Sequence, residues 1–221
     1  MTGASSYFFK ISRLFQIILG VDRLDYTKGL VARLKALECM YEHYPQYRSK
    51  VTFLQVAVPS RTDVKEYQEL KSEIDQLVGH INGRFSTPAW SPIKYIFGSV
   101  NQQDLAAYYR DADVALITPL RDGMNLVAKE FVACQSDENP GVLVLSPFAG
   151  AGGLMQEAIL ANPYETHNSA AALDRALSMN LDERQLRMNQ LKKRERRMDV
   201  DAWVRGFLEG MTFLGPISVP G

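Results

Sequence analysis

The sequence predicts an α/β fold, a parallel sheet with helices on both faces. Short β-branched or aliphatic runs alternate with longer segments of helical period from Gln16 onward, which is typical of strands joined by helical crossovers. The short runs are apolar throughout, as expected for strands covered on both sides. With 221 residues and 46% hydrophobic content, the chain can bury one substantial core.

The pattern places each strand and helix in turn. Five strands are predicted, at Ile17–Val21, Val51–Val58, Ile93–Phe97, Val114–Thr118 and Val142–Ser146. Thr62 is expected to cap a helix over Asp63–Leu77, and Asn101 one over Gln103–Arg110. Gly123 or Asn125 opens a helix that runs to Ala133. The last strand is followed by helices at Ala170–Met179, Asp182–Arg196 and Asp201–Phe213.

The charge balance argues against nucleic acid or a membrane as a partner. Lys and Arg together number 25, as do Asp and Glu, so the net charge is zero. The basic run Lys192–Arg197 lies in a mixed-charge helix and is interpreted as a solvated face rather than a phosphate-binding patch. The longest apolar run, Gly141–Leu154, is interrupted by glycines and a proline. Met1–Gln16 makes a poor signal peptide, so a cytoplasmic protein is expected.

The cysteines and histidines do not predict a metal site. Cys39 and Cys134 each lie in an apolar helical pattern, which favours buried free thiols. His43, His80 and His167 lie on different elements without a partner at metal-ligand spacing. We therefore expect surface or core histidines and no bound metal.

Two cations follow the first strand. Arg23 and Lys28 lie on one strand-to-helix loop, where a planar guanidinium and a compact ammonium could hold a diphosphate. Gly29 lets the backbone enter the helix beside a ligand. The alternative is a loop that Asp22 and Asp25 stabilise through salt bridges to these cations. Ligands of such sheets bind beyond the carboxyl ends of the strands, where this loop lies.

Three further strand ends carry polar or glycine-rich loops. Asp122 follows the fourth strand and could accept hydrogen bonds from sugar hydroxyls, while Glu130 in the next helix could accept from a ribose diol. The alternative is that Asp122 only stabilises its turn and that Glu130 pairs with Lys129 or another cation. Arg61, after the second strand, is a candidate phosphate ligand, and the glycine-rich loop 147–153 could approach an oxyanion or a sugar ring.

Five stretches, in the same order, resemble the trehalose-6-phosphate synthases: VDRLDYTKGL, VPSRTDVKEYQ, INGRFSTPAWSPI, TPLRDGMNLVAKEFVACQ and SPFAGAGG. The resemblance runs from about Ile17 to about Phe213. It implies one half of a GT-B glycosyltransferase, in which two Rossmann-like domains face each other across a cleft. Residues 17–214 would be the C-terminal, donor-binding domain, between an unmatched segment 1–16 and a tail 215–221.

The resemblance also implies an activity and the residues that perform it. The family transfers glucose from UDP-glucose to glucose-6-phosphate with retention, giving trehalose 6-phosphate and UDP without a cofactor or a metal. Arg23 and Lys28 would hold the donor diphosphate and stabilise its departing charge, while Asp122 would contact the transferred glucose. These three residues are the catalytic candidates. No enzymic base is expected, because the departing phosphate accepts the acceptor proton.

Other matching positions would bind the rest of the two substrates. The backbone of Val100 would contact the nucleotide base of the donor, and Glu130 would bind its ribose. Arg61 would contact the phosphate of glucose-6-phosphate. The predicted donor-binding set is Arg23, Lys28, Val100, Asp122, Asn125, Leu126, Val127, Ala128, Lys129 and Glu130.

The chain departs from the family before Ile17, where nothing resembles the first domain of the synthases. We therefore expect the chain to be inactive alone and to associate with an N-terminal domain or with a full-length synthase. The alternative is a non-catalytic module that binds nucleotide sugar or regulates a full-length synthase. A dehydrogenase is disfavoured, because the first strand-helix loop is basic where a dinucleotide site needs glycines.

Overall fold

Six parallel strands form one sheet in the computed structural model, which describes residues 15–60, 63–197, 204–205 and 208. The strands are β1 (Gln16–Arg23), β2 (Val51–Val58), β3 (Ile93–Phe97), β4 (Val114–Ile117), β5 (Val142–Leu145) and β6 (Ile159–Leu160). They lie in the sheet in the order β3-β2-β1-β4-β5-β6. This is the doubly wound order in which the chain turns back past β1 to add β4 on its other side.

The structure extends the first predicted strand and adds one strand to the sheet. β1 stays in register with β2 from the pair Gln16–Val51 to the pair Arg23–Val58. Arg23 is therefore the last residue of a strand rather than part of the following loop. The two-residue strand Ile159–Leu160, which pairs with β5, was not predicted, because a segment this short has no readable periodicity.

Six helices and three short 3₁₀ turns connect and cover the strands in the described residues. The helices are α1 (Leu30–His43), α2 (Lys65–Phe85), α3 (Gln102–Asp111), α4 (Leu126–Cys134), α5 (Thr166–Leu177) and α6 (Leu181–Arg197). The 3₁₀ turns are Tyr26–Lys28, Pro45–Tyr47 and Gly150–Gly153. In the described part of the chain, no helix is both long and apolar enough to cross a membrane.

Two predicted caps are confirmed. The Asn101 side chain accepts a hydrogen bond from the amide of Asp104 at 2.9 Å and so begins α3, and Asn125 begins α4 in the same way. α2 starts two residues after the predicted position and ends eight residues after it. The predicted cap Thr62 lies outside the described residues, as does most of the segment 201–213.

The core has two layers, one on each face of the sheet, because successive strand residues point to opposite faces. Ile18 points toward α1, α2 and α5, whereas its neighbours Ile17 and Leu19 point toward α3, α4 and α6. All three side chains are at most 1% exposed. The central strands β1, β2, β4 and β5 are therefore covered on both sides, as their continuous apolar runs predict, whereas only Ile93 is buried in the edge strand β3.

Two residues of the basic run of α6 pair with acidic side chains. Lys192 binds Asp137, Arg194 binds Glu157 at 2.7 Å, and Glu195 binds Lys129 of α4 at 2.8 Å. These contacts attach α6 to the rest of the domain. Lys193, Arg196 and Arg197 are exposed, so only this part of the run is the predicted solvated face.

Candidate functional site

The strand order reverses between β1 and β4, because β2 and β3 lie on one side of β1 and β4 lies on the other. This reversal places a crevice at the carboxyl ends of β1 and β4. β1 pairs with β2 on one side and with β4 on the other. Open parallel sheets bind their ligands at this switch point. The loops that follow β1 and β4 carry Lys28 and Asp122, and Arg23 ends β1 itself. The topology thus brings the three catalytic candidates to one edge.

A rigid turn holds Lys28 after β1. The Asp25 carboxylate accepts hydrogen bonds from the amide of Thr27 at 2.8 Å and from its hydroxyl at 2.7 Å. Burial opposes ionisation of Asp25, but these bonds and one from Tyr67 hold its pKa below the ordinary value. The carbonyl of Thr27 accepts from the amide of Leu120 at 2.8 Å, so the turn is fastened to the segment after β4.

Gly29 ends this turn in a conformation that only glycine adopts easily. Its φ is +68°, and a Cβ placed there would lie 2.5 Å from the carbonyl oxygen of Thr118. Left-handed backbone costs an L-residue about 1–2 kcal/mol before any clash is counted. The absence of a side chain therefore lets the entry to α1 lie directly against the end of β4.

We expect Gly29→Ala to lower the free energy of unfolding by at least about 1–2 kcal/mol, measured by urea denaturation. Gly79→Ala is the matched control, because Gly79 lies within α2 with nothing near its Cβ position. That change should stabilise the chain by about 0.5–1 kcal/mol through helix propensity. A Gly29→Ala chain as stable as the parent would contradict the left-handed backbone described here.

Lys28 and Asp122 form an ion pair across the crevice. Lys28 Nζ lies 2.8 Å from Asp122 Oδ2, and the two side chains are only 15% and 16% exposed. Asn125 donates to the same carboxylate oxygen at 2.8 Å while its own oxygen caps α4 through the amide of Ala128. Asn125 has a φ of +50°, which asparagine tolerates better than most residues. A cation, a carboxylate and a helix N-terminus thus converge on one point.

The ion pairs in this region differ from those that the alternative interpretations proposed. The proposed salt bridges of Asp22 and Asp25 to Arg23 or Lys28 are not seen among the described residues. Asp22 pairs instead with Arg33, and Lys28 with Asp122. Arg23 is exposed at the end of β1. Asp122 does stabilise its turn, as its alternative held, because it accepts a hydrogen bond from Asn125 three residues later, and it also pairs with Lys28.

Arg33 is a further candidate, which no sequence motif indicates. It is 2% exposed, forms an ion pair with Asp22, and donates to Gln55 Oε1 at 2.9 Å and to the Thr118 hydroxyl at 3.2 Å. It also donates to the carbonyl of Lys28 at 3.4 Å. Burial raises the pKa of Asp22, and the guanidinium opposes that rise. Arg33 therefore ties the ends of β1 and β4 to the backbone of Lys28.

The glycine-rich loop after β5 closes the other side of the crevice. The amide of Asp122 donates to the carbonyl of Phe148 at 3.2 Å, and the amide of Gly150 donates to the carbonyl of Asp122 at 3.0 Å. A Cβ on Gly150 would lie 1.7 Å from the carbonyl oxygen of Gly123, so the two loops touch backbone to backbone. Asp122 is thus positioned by three loops at once.

Glu130 lies on α4, away from the ion pair of Lys28. Its carboxylate is on an exposed residue and accepts a hydrogen bond from the Tyr109 hydroxyl at 2.9 Å. Burial and the adjoining carboxylate raise the pKa of Tyr109, so its phenol stays protonated and donates. Lys129 pairs with Glu195 rather than with Glu130. The alternative that Glu130 is neutralised by Lys129 is therefore wrong.

The remaining predicted donor-binding residues differ in burial and in their hydrogen-bond partners. Val100 is half-buried just before α3, and Leu126 and Val127 form the first turn of α4. Ala128 is fully buried and its amide is already bound to Asn125, while the side chain of Lys129 is directed to Glu195. Arg61 lies outside the described residues.

The prediction that the histidines have no partner at metal-ligand spacing is wrong for His43 and His167. His80 is exposed beside Glu38, as a surface histidine should be, but His43 and His167 do have partners. Both lie against the Cys39 thiol, because α1 packs on α5. Cys39 and Cys134 are both free thiols, as predicted, although Cys134 is only half-buried.

Comparisons with known proteins agree with this geometry. A family model described as glycosyltransferase family 20 matches residues 10–212. The trehalose-6-phosphate synthase of Sodalis glossinidius is 45% identical over 196 residues, which cover 89% of this chain and 42% of that relative. An alpha,alpha-trehalose-phosphate synthase of Burkholderia xenovorans, solved in complex with glucose-6-phosphate, matches with a TM-score of 0.90 at 44% identity. That match covers 95% of this chain and 47% of the other.

A structure from Escherichia coli, solved with UDP-2-fluoro glucose bound, matches with a TM-score of 0.89 at 42% identity and covers 93% of this chain and 46% of the other. The chain therefore spans less than half the length of these relatives. Its sheet and helices match half of their GT-B fold. Because the family model covers most of the sequence, this chain belongs to glycosyltransferase family 20.

Proposed function

We propose that the chain is the donor-binding, C-terminal half of a retaining trehalose-phosphate synthase that uses UDP-glucose and glucose-6-phosphate. The observation that carries the proposal is the convergence of Lys28, Asp122 and the N-terminus of α4 at the switch point of the sheet. A helix N-terminus and a cation next to each other favour a bound phosphate. Relatives of this fold have been solved with a UDP-sugar analogue or with glucose-6-phosphate.

In this proposal the diphosphate of the donor lies between Arg23, Lys28 and the first amides of α4, at Leu126 and Val127. Lys28 is already held by Asp122, so a bound diphosphate would share its ammonium, which has three donors. Asp122 remains free to accept hydrogen bonds from the glucose hydroxyls through its second oxygen. The amide of Ala128 and the side chain of Lys129 have other partners, so the proposal does not depend on them.

The chemistry assigned to this chain is electrostatic. As the bond between the glucose and the diphosphate of the donor breaks, negative charge develops on the diphosphate. Arg23 and Lys28 would stabilise this charge. The departing phosphate would accept the proton of the attacking hydroxyl, so no base is needed from this half. Arg33 fixes the Lys28 backbone, and the ion pair with Asp122 fixes its ammonium. The cations are thus held in place before the substrate arrives.

We expect Glu130→Ala to weaken UDP binding roughly 10–100-fold, the value of one charge-assisted contact to the ribose. The parent should prefer UDP to 2′,3′-dideoxy-UDP, whereas Glu130→Ala should bind both alike in calorimetric titrations. Tyr109→Phe keeps the carboxylate but removes the hydrogen bond that orients it, and should have a smaller effect.

Glu138→Ala is the control for the loss of one exposed carboxylate, because Glu138 lies in the loop between α4 and β5. It should bind UDP like the parent. If Glu130→Ala retains the full preference for UDP, Glu130 does not contact the ribose.

The edge that carries the site also exposes large apolar side chains. Met124 and Leu126 follow β4 and are 62% and 56% exposed, while Phe148 follows β5 and is 43% exposed. Tyr164, after β6, is 65% exposed and its ring lies 5.4 Å from that of Phe148. Exposed apolar residues gathered at one edge favour a covering partner. We assign that role to an N-terminal half, which would face this edge across the cleft.

The proposal is tested by a chimera in which this chain replaces the C-terminal half of the Escherichia coli relative. The chimera should release UDP and form trehalose 6-phosphate from UDP-glucose and glucose-6-phosphate, and Lys28→Ala should abolish this turnover. The isolated chain should give none. A folded chimera that binds UDP without turnover would contradict the catalytic assignment and favour a binding or regulatory module. Turnover by the isolated chain would show that the second half is not required.

A further inference from the structure

Cys39, His43 and His167 form a compact cluster where α1 packs against α5. Cys39 Sγ lies 3.5 Å from His43 Nδ1 and 3.3 Å from His167 Nδ1. One potential ligand atom from each residue lies within 4.8 Å of the other two. Cys39 is 6% exposed, and both histidines are exposed. We propose that this cluster is a Zn²⁺ site that clamps α1 to α5.

The sulfur–nitrogen separations fit tetrahedral zinc. With bonds of about 2.3 Å to sulfur and about 2.05 Å to nitrogen, a tetrahedral ion separates the two ligand atoms by roughly 3.6 Å. The Sγ–Nδ1 distances of 3.5 and 3.3 Å are close to that value.

The placement of the ligands in the chain also fits a metal site. Cys39 and His43 are four residues apart on α1, and residues at this spacing share one face of a helix. His167, in the first turn of α5, supplies the third ligand from a different element. A thiolate with two imidazoles suits Zn²⁺ and disfavours Mg²⁺ and Ca²⁺, which prefer oxygen. Because both histidines are exposed, a water molecule can take the fourth position.

A metal-free arrangement is also consistent with these contacts. His43 Nδ1 lies 3.0 Å from the carbonyl oxygen of Cys39 and can donate to it, while the Cys39 thiol can donate to His167. In that arrangement hydrogen bonds alone hold the cluster, and added metal changes nothing. In the proposed site Zn²⁺ replaces the thiol proton, which is released to solvent, the His43 proton moves from Nδ1 to Nε2, and the ion joins the two helices. The two arrangements therefore differ in one measurable property, the response to metal.

The cluster is separate from the donor site. Gly29 precedes α1, and Cys39 lies ten residues further along, which is about 15 Å along the helix axis. Zinc bound there would stabilise the far end of the helix whose first half holds Arg33. Its occupancy should therefore affect stability while UDP binding stays the same.

The test uses the tag-free chain after treatment with a chelator. The parent should bind one Zn²⁺ per chain in calorimetry, and Co²⁺ should give a thiolate-to-cobalt charge-transfer band. His167→Gln should weaken Zn²⁺ binding at least about tenfold, because even loss of a group that only supports a ligand costs 10–100-fold. Cys39→Ala should lose the Co²⁺ band. Saturating Zn²⁺ should raise the Tm of the parent but not of His167→Gln.

The chain offers matched controls, because it has only two cysteines and three histidines. His80→Gln and Cys134→Ser remove the same groups outside the cluster and should bind Zn²⁺ like the parent. His167 is exposed, so its variant should match the metal-free parent in circular dichroism and Tm. No stoichiometric Zn²⁺ in the parent, or undiminished binding in both His167→Gln and Cys39→Ala, would overturn the proposal.

Discussion

Replacing Arg23 and Lys28 together with alanine should weaken UDP binding by roughly 10²–10⁴-fold, which places it beyond detection in calorimetry. Each cation is proposed to make a charge-assisted hydrogen bond to the diphosphate, and such bonds contribute about 1.5–3 kcal/mol. Two of them correspond to roughly 10²–10⁴-fold in affinity. The measurement is a titration of UDP into the parent and into the double variant, at equal ionic strength.

The double variant should remain folded, because neither side chain belongs to the core. Arg23 is exposed, and Lys28 contacts only Asp122 through its ammonium in the described structure. Lys35→Ala is the control for the loss of a positive charge, since Lys35 is an exposed residue of α1. It should bind UDP like the parent. Unchanged affinity in a folded Arg23→Ala, Lys28→Ala chain would remove both cations from the donor site.

Arg33→Met should lower the free energy of unfolding by about 3–5 kcal/mol, because it leaves a buried carboxylate without its partner. Arg33 is 2% exposed and Asp22 is 7% exposed, so water cannot replace the lost ion pair. The variant also loses the hydrogen bonds to Gln55, Thr118 and the Lys28 carbonyl. Urea denaturation followed by circular dichroism measures the change.

Two further variants test whether the stability lost in Arg33→Met comes from leaving a buried charge unpaired. Adding Asp22→Leu to Arg33→Met removes the orphaned charge, so the double variant should recover part of the lost stability. Arg84→Met deletes an exposed arginine that pairs with Glu38 and Glu42 and should have a much smaller effect. Equal losses in Arg33→Met and Arg84→Met would contradict the buried network that positions Lys28.

The sequence pattern predicts most of this architecture, because continuous apolar runs and asparagine caps are local signals. It also predicts that the loops after β1 and β4 share an edge, since parallel strands end on the same side. It does not predict that Lys28 pairs with Asp122, because the two residues are 94 positions apart. The side-chain partners depend on strand order and helix packing, which no local pattern contains.

Some of the residues that the sequence prediction missed have a local signal in the sequence, and one does not. Arg33 lies three residues after Leu30 and one before Leu34 on the buried face of α1, so a charge at an apolar position was a readable signal. The i, i+4 pair of Cys39 and His43 was also readable. His167, in contrast, lies 128 residues from Cys39, and only the packing of α5 on α1 brings it there.

The central claim is that a nucleoside diphosphate binds at the carboxyl edge between β1 and β4. Amide chemical-shift mapping of the ¹⁵N-labelled 24.9 kDa chain during a UDP titration tests it most directly. The predicted result is a set of perturbed amides within residues 23–29 and 122–130, with those around His43 and His167 unchanged. Saturable shifts confined to other surfaces, or no shifts in the folded chain at millimolar UDP, would contradict it.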